Sequence, residues 1–325
     1  MLDYTLFGES HGPVVGVLLR HVPAGLPVDG LQMERELLRR SPNGQLSTAR
    51  RETDQVQLLS GVFQGYTTGM PLVMVIPNRD ARSEDYDALR TVARPGHADY
   101  TAHVKAKGFQ DYRGGGHFSG RLTAPLVAAG SIAKTALLAR GVTVAAHIVD
   151  EENLRRRAAE AKAEGDSVGG QIACAVTGLP AGIGGPDWRE AVESEIARHV
   201  FAIPAVKAVG FGEGEGFAAL RGSQANDAFR MEGGHVVTVT DRCGGILGGI
   251  TTGGDVIFRC VIRATPSIGK PQPTVSLVRG EDAELFIHGR HDPCVLPRAV
   301  PVVEAMAAMV LADCYLMNRS AQMGR

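Results

Sequence analysis

Pro180-Ala181-Gly182-Ile183 repeats Pro23-Ala24-Gly25-Leu26, and the surroundings of the two tetrads repeat with them. Each follows a short apolar run (14–19 and 172–177) and precedes a helical pattern with an aspartate near its start, Asp29 or Asp187. Tyr66-Thr67-Thr68-Gly69 then leads into the strand-like run 72–76, as Gly249-Ile250-Thr251-Thr252-Gly253 leads into 256–262. Last come two loops rich in Arg, His and Gly, running to apolar helices marked by Pro125 and Pro301. One short match carries nothing; four in the same order predict an internal duplication. Residues 1–325 are therefore read as a single domain of two related halves, about 12–141 and 168–318. Across a pseudo-twofold axis, such halves would turn their Arg/His loops into one shared site.

The finer pattern sets individual elements. Asp29 is placed to cap a helix running through Arg40, with Leu31, Glu34, Leu37 and Leu38 marking its period. Strands are expected at 55–63 and 71–76, and a buried strand at 142–149, where alternation is poor. Leu126, Ala129, Ile132, Ala133, Ala136 and Leu137 recur at helical spacing until Gly141, and so much alanine implies close helix packing. The charged run 150–164 reads as a solvated helix or connector. Asp187 should cap a helix with Trp188, Val192, Ile196 and Val200 on one face.

Lys+Arg 34 against Asp+Glu 35 leaves a net charge of -1, which gives no field for nucleic acid or a membrane surface. An anionic ligand must then be small and met by locally clustered charge. Glycine, at 41 residues, is far above the usual share of about 7%. Aromatics at 5% argue against a base-stacking platform. Cys174, Cys243, Cys260, Cys294 and Cys314 form no CxxC pair and read as reduced thiols of a cytoplasmic protein. Met1-Leu2-Asp3-Tyr4 has no signal-peptide pattern, and Lys134 or Glu304 breaks the most apolar segments. No metal is expected, since Pro293 disfavours the helix that would align His288, His291 and Asp292.

Charge does cluster in Arg94-Pro95-Gly96-His97-Ala98-Asp99 and in Asp111-Tyr112-Arg113-Gly114-Gly115-Gly116-His117-Phe118-Ser119-Gly120-Arg121. Glycine lets backbone approach a ligand, arginine forks suit carboxylate and phosphate, and the helix start that follows offers free N–H groups. Histidine titrates near neutrality and can donate or accept a proton as a bond breaks. A site shared between the halves would gather His11, His97, Arg113, Arg121, Arg290 and Asp292. Arg39, Arg40, Arg50 and Arg51 are either a solvated rim or a second half of that site. There is no GxSxG, Walker loop or GxGxxG after a first strand. The residues alone specify a small polyanion, proton transfer by histidine and a glycine-lined pocket.

Phe7-Gly8-Glu9-Ser10-His11-Gly12, the two clusters above, Gly244-Gly245-Ile246-Leu247-Gly248-Gly249, Gly289-Arg290-His291-Asp292-Pro293-Cys294 and Ala299-Val300-Pro301 are similar to the signature segments of chorismate synthases. The resemblance implies an α/β (α+β) fold, a β-α-β sandwich with helices packed on mainly antiparallel sheets, assembled as a homotetramer. It implies a lyase of the shikimate pathway and aromatic amino acid biosynthesis. The reaction is the 1,4-anti-elimination of 5-enolpyruvylshikimate 3-phosphate to chorismate and phosphate, with reduced FMN. Carried over by residue, His11 helps phosphate leave, His97 protonates the reduced flavin, and Asp292 assists proton removal, with Ser10 and Ser119 in support. Arg113 and Arg121, with Arg50 or Arg51, hold substrate anions. Flavin contacts fall on His117, Phe118, Ser119, Pro204, Ala205, Gly248, Arg263, Ala264, Thr265, Pro266, Ser267 and Arg290. Arg39 and Arg40 stand where NADPH would bind, the other source of reduced flavin being an external flavin reductase.

The chain departs from the family pattern where His117-Phe118 replaces an arginine, and where Gln45 or Leu46 replaces a basic residue. The alternatives are a non-catalytic flavin- or phosphate-binding protein on the same scaffold, and a phosphatase-like lyase without flavin. Retention of His11, His97 and Asp292 speaks against the first.

Overall fold

The computed structural model describes residues 3–42, 54–79, 90–287 and 292–321, with the side chains of 319–321 excepted. In chain order the first half runs β1 (Asp3–Gly8), β2 (Val14–Arg20), α1 (Gly30–Arg40), β3 (Gln57–Ser60), the ribbon β4 (Val62–Phe63) and β5 (Tyr66–Thr67), β6 (Leu72–Pro77), α2 (Asp99–Ala106) and α3 (Thr123–Leu138). The second opens with β7 (Thr143–Ile148), α4 (Glu151–Ala163), β8 (Gly170–Thr177), α5 (Val192–Phe201) and β9 (Val206–Phe211). It continues through α6 (Gly222–Ala225) and the ribbons β10 (Phe229–Glu232) with β11 (His235–Thr238) and β12 (Ile246–Leu247) with β13 (Ile250–Thr251). β14 (Val256–Ile262), the ribbon β15 (Gln272–Ser276) with β16 (Glu281–Leu285), and α7 (Leu296–Ala321) complete it. Each half makes one four-stranded antiparallel sheet, ordered β1-β2-β6-β3 and β7-β8-β14-β9. Both orders read first, second, fourth, third.

Equivalent side chains do equivalent work. Thr67 Oγ1 donates to Pro23 O (2.6 Å) and accepts from Leu26 N (2.9 Å). Thr251 Oγ1 donates to Pro180 O (2.8 Å) and accepts from Ile183 N (2.9 Å). The β4–β5 and β12–β13 ribbons both turn through two left-handed residues, Gln64-Gly65 and Gly248-Gly249, which matches the twist of a two-residue hairpin.

Between the sheets lie the helices. α3 packs on β2 and β6, α7 packs on β7 and β8, and the two helices pack on each other. A Cβ on Gly130 would sit 2.3 Å from Ala305 Cβ, so this crossing requires glycine. With Pro125 set against Pro301, Ala129 falls on Ala305, and the helices cross near equivalent points, as a twofold relation needs. The core runs continuously from Val15, Val17 and Met74 of one sheet to Ile172, Phe258 and Cys260 of the other. α7 has the length and apolarity of a membrane span, yet most of that stretch is buried against α3, α5, β7 and β8.

Several elements differ from the sequence reading. α1 buries Met33, Glu36, Leu37 and Arg40, while Leu31 and Leu38 are exposed. Apolarity misplaces that face because two charged residues are buried with partners. β7 alternates exposed and covered rather than being buried, since it is an edge strand with only one face on the helices. Asp187 caps a turn through Arg189 N (3.0 Å), and α5 begins later, at Val192, leaving Trp188 exposed. α7 begins at Leu296, so Pro301 sits inside it and removes one backbone hydrogen bond instead of starting the helix. The matching elements also include β1 and β7, which lie outside 12–141 and 168–318. α4, with Leu154, Ala158 and Ala161 buried, stands between β7 and β8 where the first half has only a short turn.

Candidate active site

That short turn, residues 9–13, carries Ser10 and His11. Gly8 leaves β1 at φ +90°, where a Cβ would strike Val14 O at 2.2 Å, and the chain reverses tightly enough to bury His11. Facing it are Gly114, Gly115 and Gly116, three successive left-handed residues at φ 58°, 83° and 54°. A Cβ on Gly114 would lie 2.5 Å from His11 Nε2, and one on Gly115 would lie 3.0 Å from His97 Nε2. One strip of bare backbone thus receives both histidines, and any side chain there would displace them. The strip is pinned by Ser10 N donating to Gly116 O (3.1 Å) and His117 Nδ1 donating to Gly8 O (3.0 Å).

His97 is oriented from behind. Its Nδ1 donates to Asp99 Oδ1 at 2.5 Å, and Arg94 Nε and Nη2 donate to the same carboxylate at 2.7 and 2.8 Å. Burial works against a charged Asp99, but the bonds from Arg94 and His97 outweigh it and hold the carboxyl well below the ordinary range. The carboxylate keeps a proton on Nδ1 and leaves Nε2 toward the glycine strip. Arg94 Nη1 reaches Ser267 Oγ at 3.4 Å, and Arg263 Nη1 donates to Gly96 O at 2.6 Å. Arg263 N donates to Ala205 O (2.9 Å) and Thr265 Oγ1 to Asp292 O (3.1 Å). The His97 turn of the first half therefore meets Ala205, the 263–267 segment and Asp292 of the second. Ala264 and Pro266 belong to that segment, and the half-buried Ala205 follows exposed Pro204.

The arginines come with carboxylates. Arg113 Nε and Nη2 donate to Asp111 at 2.9 and 2.8 Å, and the Arg113 bond depresses the Asp111 carboxyl despite partial burial. Arg298 Nη1 donates to Asp292 Oδ2 at 2.6 Å. Arg121 Nη1 and Arg40 Nη1 (3.3 Å) share Asp54, whose side chain is 2% exposed. Ser119 Oγ accepts from Arg121 N at 3.2 Å, so it caps the turn before α3. His117 and Phe118 are exposed at the rim, edge to face.

Arg40 corrects the expected NADPH contact. It is 1% exposed, with Nε on Thr123 Oγ1 and Nη2 on Gly120 O, both at 2.9 Å. Arg39 grips buried Glu304 at 2.6 and 2.8 Å, and Lys134 joins that carboxylate at 2.6 Å. Gly248 lies in the β12–β13 turn, where a Cβ would meet nothing within 4 Å, and its neighbour Gly249 packs on Gly185 and Ala191. Arg50, Arg51 and Arg290 lie outside the described residues, as do Gln45, Leu46, His288 and His291.

Beside the strip a small cleft is lined by Asp99, Gln110, Tyr112, Gly115, Phe118 and Leu277. Gln110 Oε1 is buried there without a hydrogen-bond donor, and a buried acceptor of this kind calls for one. A larger apolar cavity, between Leu19, Ile132, Leu137, Met309 and Leu316, lies at the far ends of α3 and α7 and holds none of these groups.

The family model of chorismate synthase matches residues 2–316. The chain belongs to the chorismate synthase family. It is 46% identical to the chorismate synthase of Thermococcus gammatolerans, over 100% of this chain and 98% of that protein. It is 45% identical to that of Aeropyrum pernix, over 97% and 91%. A solved structure titled Crystal Structure of Chorismate Synthase superposes with a TM-score of 0.75 at 25% identity, covering 97% of this chain and 92% of that one. Among chorismate synthase residues, sequence reasoning gave no role to Arg94, Asp99, Asp54, Asn78 or Arg298. Arg94 and Asp99 lay inside a quoted motif. The other three carry no local signal, because their partners are remote in sequence or meet across a loop.

Proposed function

We propose that the protein is the lyase that forms chorismate and phosphate from 5-enolpyruvylshikimate 3-phosphate by 1,4-anti-elimination. The observation that carries this reading is the pair of histidine Nε2 atoms set against Gly114 and Gly115, one beside a buried Arg94–Asp99 pair. His11 Nε2 gives a proton to the departing phosphate oxygen. His97, oriented through Nδ1 by Asp99, offers Nε2 for proton transfer to the reduced flavin. The Asp292 carboxylate, fixed by Arg298, assists removal of the proton lost as the C–H bond breaks. Arg113 and Arg121 supply positive charge toward the substrate anions.

The residues fit an FMN. The glycine strip seats both histidines beside a small cleft, Gln110 Oε1 in that cleft calls for a donor, and the 263–267 segment adjoins the His97 turn. His117, Phe118, Ser119, Ala205, Arg263 and Ser267 would hold it. When bound, the reduced flavin supplies electron density to the reacting centre with no net redox change. Arg40 is buried and Arg39 is committed to Glu304, which supports reduction by an external flavin reductase over an NADPH contact at these two residues.

A homotetramer is supported by exposed Leu58, Leu59, Phe63, Tyr66 and Met70 around the edge strand β3, and by Phe229 and Met231 on the exposed strand β10. Five unpaired cysteines support a cytoplasmic setting. The single-domain, two-half organisation is supported by the matched sheet orders and threonine bridges.

Anaerobic incubation with substrate and photoreduced FMN, followed by chorismate absorbance, tests the reaction. Product that appears only with reduced flavin is expected. Flavin binding without product would leave a non-catalytic binder, and product without flavin would leave a flavin-free lyase.

A further inference from the structure

We infer that Asn78 is the positioning residue for His11, with its amide orientation set by Arg121 and Asp54; this rests on the chorismate-forming role given to His11 above. Asn78 follows β6. Its Nδ2 donates to Glu9 O at 3.0 Å and to Gly12 O at 2.9 Å, carbonyls placed on both sides of Ser10-His11. Its backbone N donates to Pro13 O at 3.1 Å, so main chain and side chain hold the same turn.

An amide can do this in one orientation only. Flipped, it would oppose its own oxygen to two carbonyl oxygens. Arg121 settles which orientation is present, because Nε donates to Asn78 Oδ1 at 2.9 Å and a guanidinium has nothing to accept with. Arg121 is in turn held by the buried Asp54, which also takes Arg40 from the end of α1. Arg40 bonds Gly120 O and Thr123 Oγ1 at the start of α3, and Thr123 Oγ1 closes on Gly120 O at 2.6 Å.

The result is a directional chain from α1 and α3 through Asp54, Arg121 and Asn78 to the backbone that carries His11. The five-residue turn is also tied by Gly12 N donating to Glu9 O at 3.0 Å and Ser10 N donating to Gly116 O at 3.1 Å. Losing both Asn78 donors leaves two carbonyls without those partners and frees the imidazole to shift against Gly114. Arg121 is therefore more than a substrate anchor, since donors on its fork are directed at Asn78 and Asp54.

Asn78→Asp tests this, because it keeps the shape, removes both N–H donors and gives Arg121 a charged acceptor. With photoreduced FMN, kcat should fall by up to about 10²-fold, the scale of a 1 Å misplacement. KM and FMN affinity should stay within about twofold, by the same argument that the effect lies on geometry alone. The ring resonances of His11, followed by NMR against pH in the free protein, should shift and titrate differently from wild type. The pH profile of kcat should move in the same direction. Arg121→Gln, which removes the orienting charge, should displace the same His11 resonances and serves if Asn78→Asp does not fold. A wild-type His11 titration in either folded variant overturns the inference, as does an unchanged kcat in Asn78→Asp. If His11→Gln keeps full turnover, the catalytic reading of His11 fails, while the NMR displacement still decides whether Asn78 positions it.

Discussion

α1 and α5 occupy the same place in the two halves, and one buries charge where the other buries valine and isoleucine. The covered face of α1 holds Met33, Glu36, Leu37 and Arg40; that of α5 holds Val192, Ile196 and Val200. The link between the first two strands differs in the same way. In the first half it is the tight turn bearing His11, and in the second it is replaced by α4. Both halves contribute to the candidate site, but its two histidines lie in the first, while Ala205, the 263–267 segment and Asp292 come from the second. The fold tolerates the buried charge because each charge drawn inward has a partner, as a buried ion without one costs several kcal/mol. Arg94–Asp99, Arg121–Asp54 and Arg298–Asp292 are covered, whereas the Arg113 side chain is 39% exposed. Of these pairs Arg113–Asp111 is the most screened by solvent, so it is the one that costs least to open, in keeping with the anion-binding role proposed for Arg113.

The strongest test of the contrast is in the chemistry. His11→Ala and His97→Ala should each lower turnover about 10²–10⁴-fold, with FMN binding kept, the scale of the general acid–base role proposed for them. Glu152→Ala, on the exposed face of α4, should leave turnover unchanged. Full turnover in either histidine variant with photoreduced flavin would erase the functional asymmetry.

Stability separates the two helices next. Arg40→Met takes one of two arginine partners from the buried Asp54 and the guanidinium donors from Gly120 O and Thr123 Oγ1, and should cost about 2–5 kcal/mol. Ile196→Val, a loss of one methylene from α5, should cost about 0.5–1.5 kcal/mol. Urea unfolding at neutral pH measures both, and equal costs would mean that α1's charges are not truly committed.

The threonine bridges sharpen the comparison from the side of likeness. Thr67→Val and Thr251→Val each leave a carbonyl and an N–H of the turn without the hydroxyl that joins them, at about 1–3 kcal/mol. The two losses should agree within about 0.5 kcal/mol, the usual limit for independent sites. A gap above roughly twice that breaks the equivalence of the halves at this position.

The smallest effect concerns pH. His199 on α5 is held below its ordinary value, chiefly by burial. A depressed histidine stays neutral in the fold while the unfolded chain takes up protons below about pH 6.5, so stability falls as pH drops through that value. Asp99 is also depressed, so its contribution persists above about pH 4 and is lost only in stronger acid. The Tm decrease between pH 7 and 5.5 should therefore shrink in His199→Gln, and an unchanged slope would assign that decrease to other groups.

The order of the repeats was legible because hydrogen-bonded turns impose residue types locally. Thr67 and Thr251 each close a Pro-Ala-Gly turn, and left-handed positions at Gly114, Gly115 and Gly116 exclude other residues. His11 and His97 stood out for the same reason, as titratable groups among glycines with no apolar period around them. Sequence alone therefore determined the family, and it predicted a repeated order of elements and singled out the two histidines proposed for the site. Tertiary structure decided the rest: that α1's hidden face is charged, that Arg40 is interior, and that Arg121 meets Asp54 and Asn78. Such pairs join residues far apart in the chain through one directional bond each, and a bond of that kind leaves neither a period nor a spacing in the sequence to read.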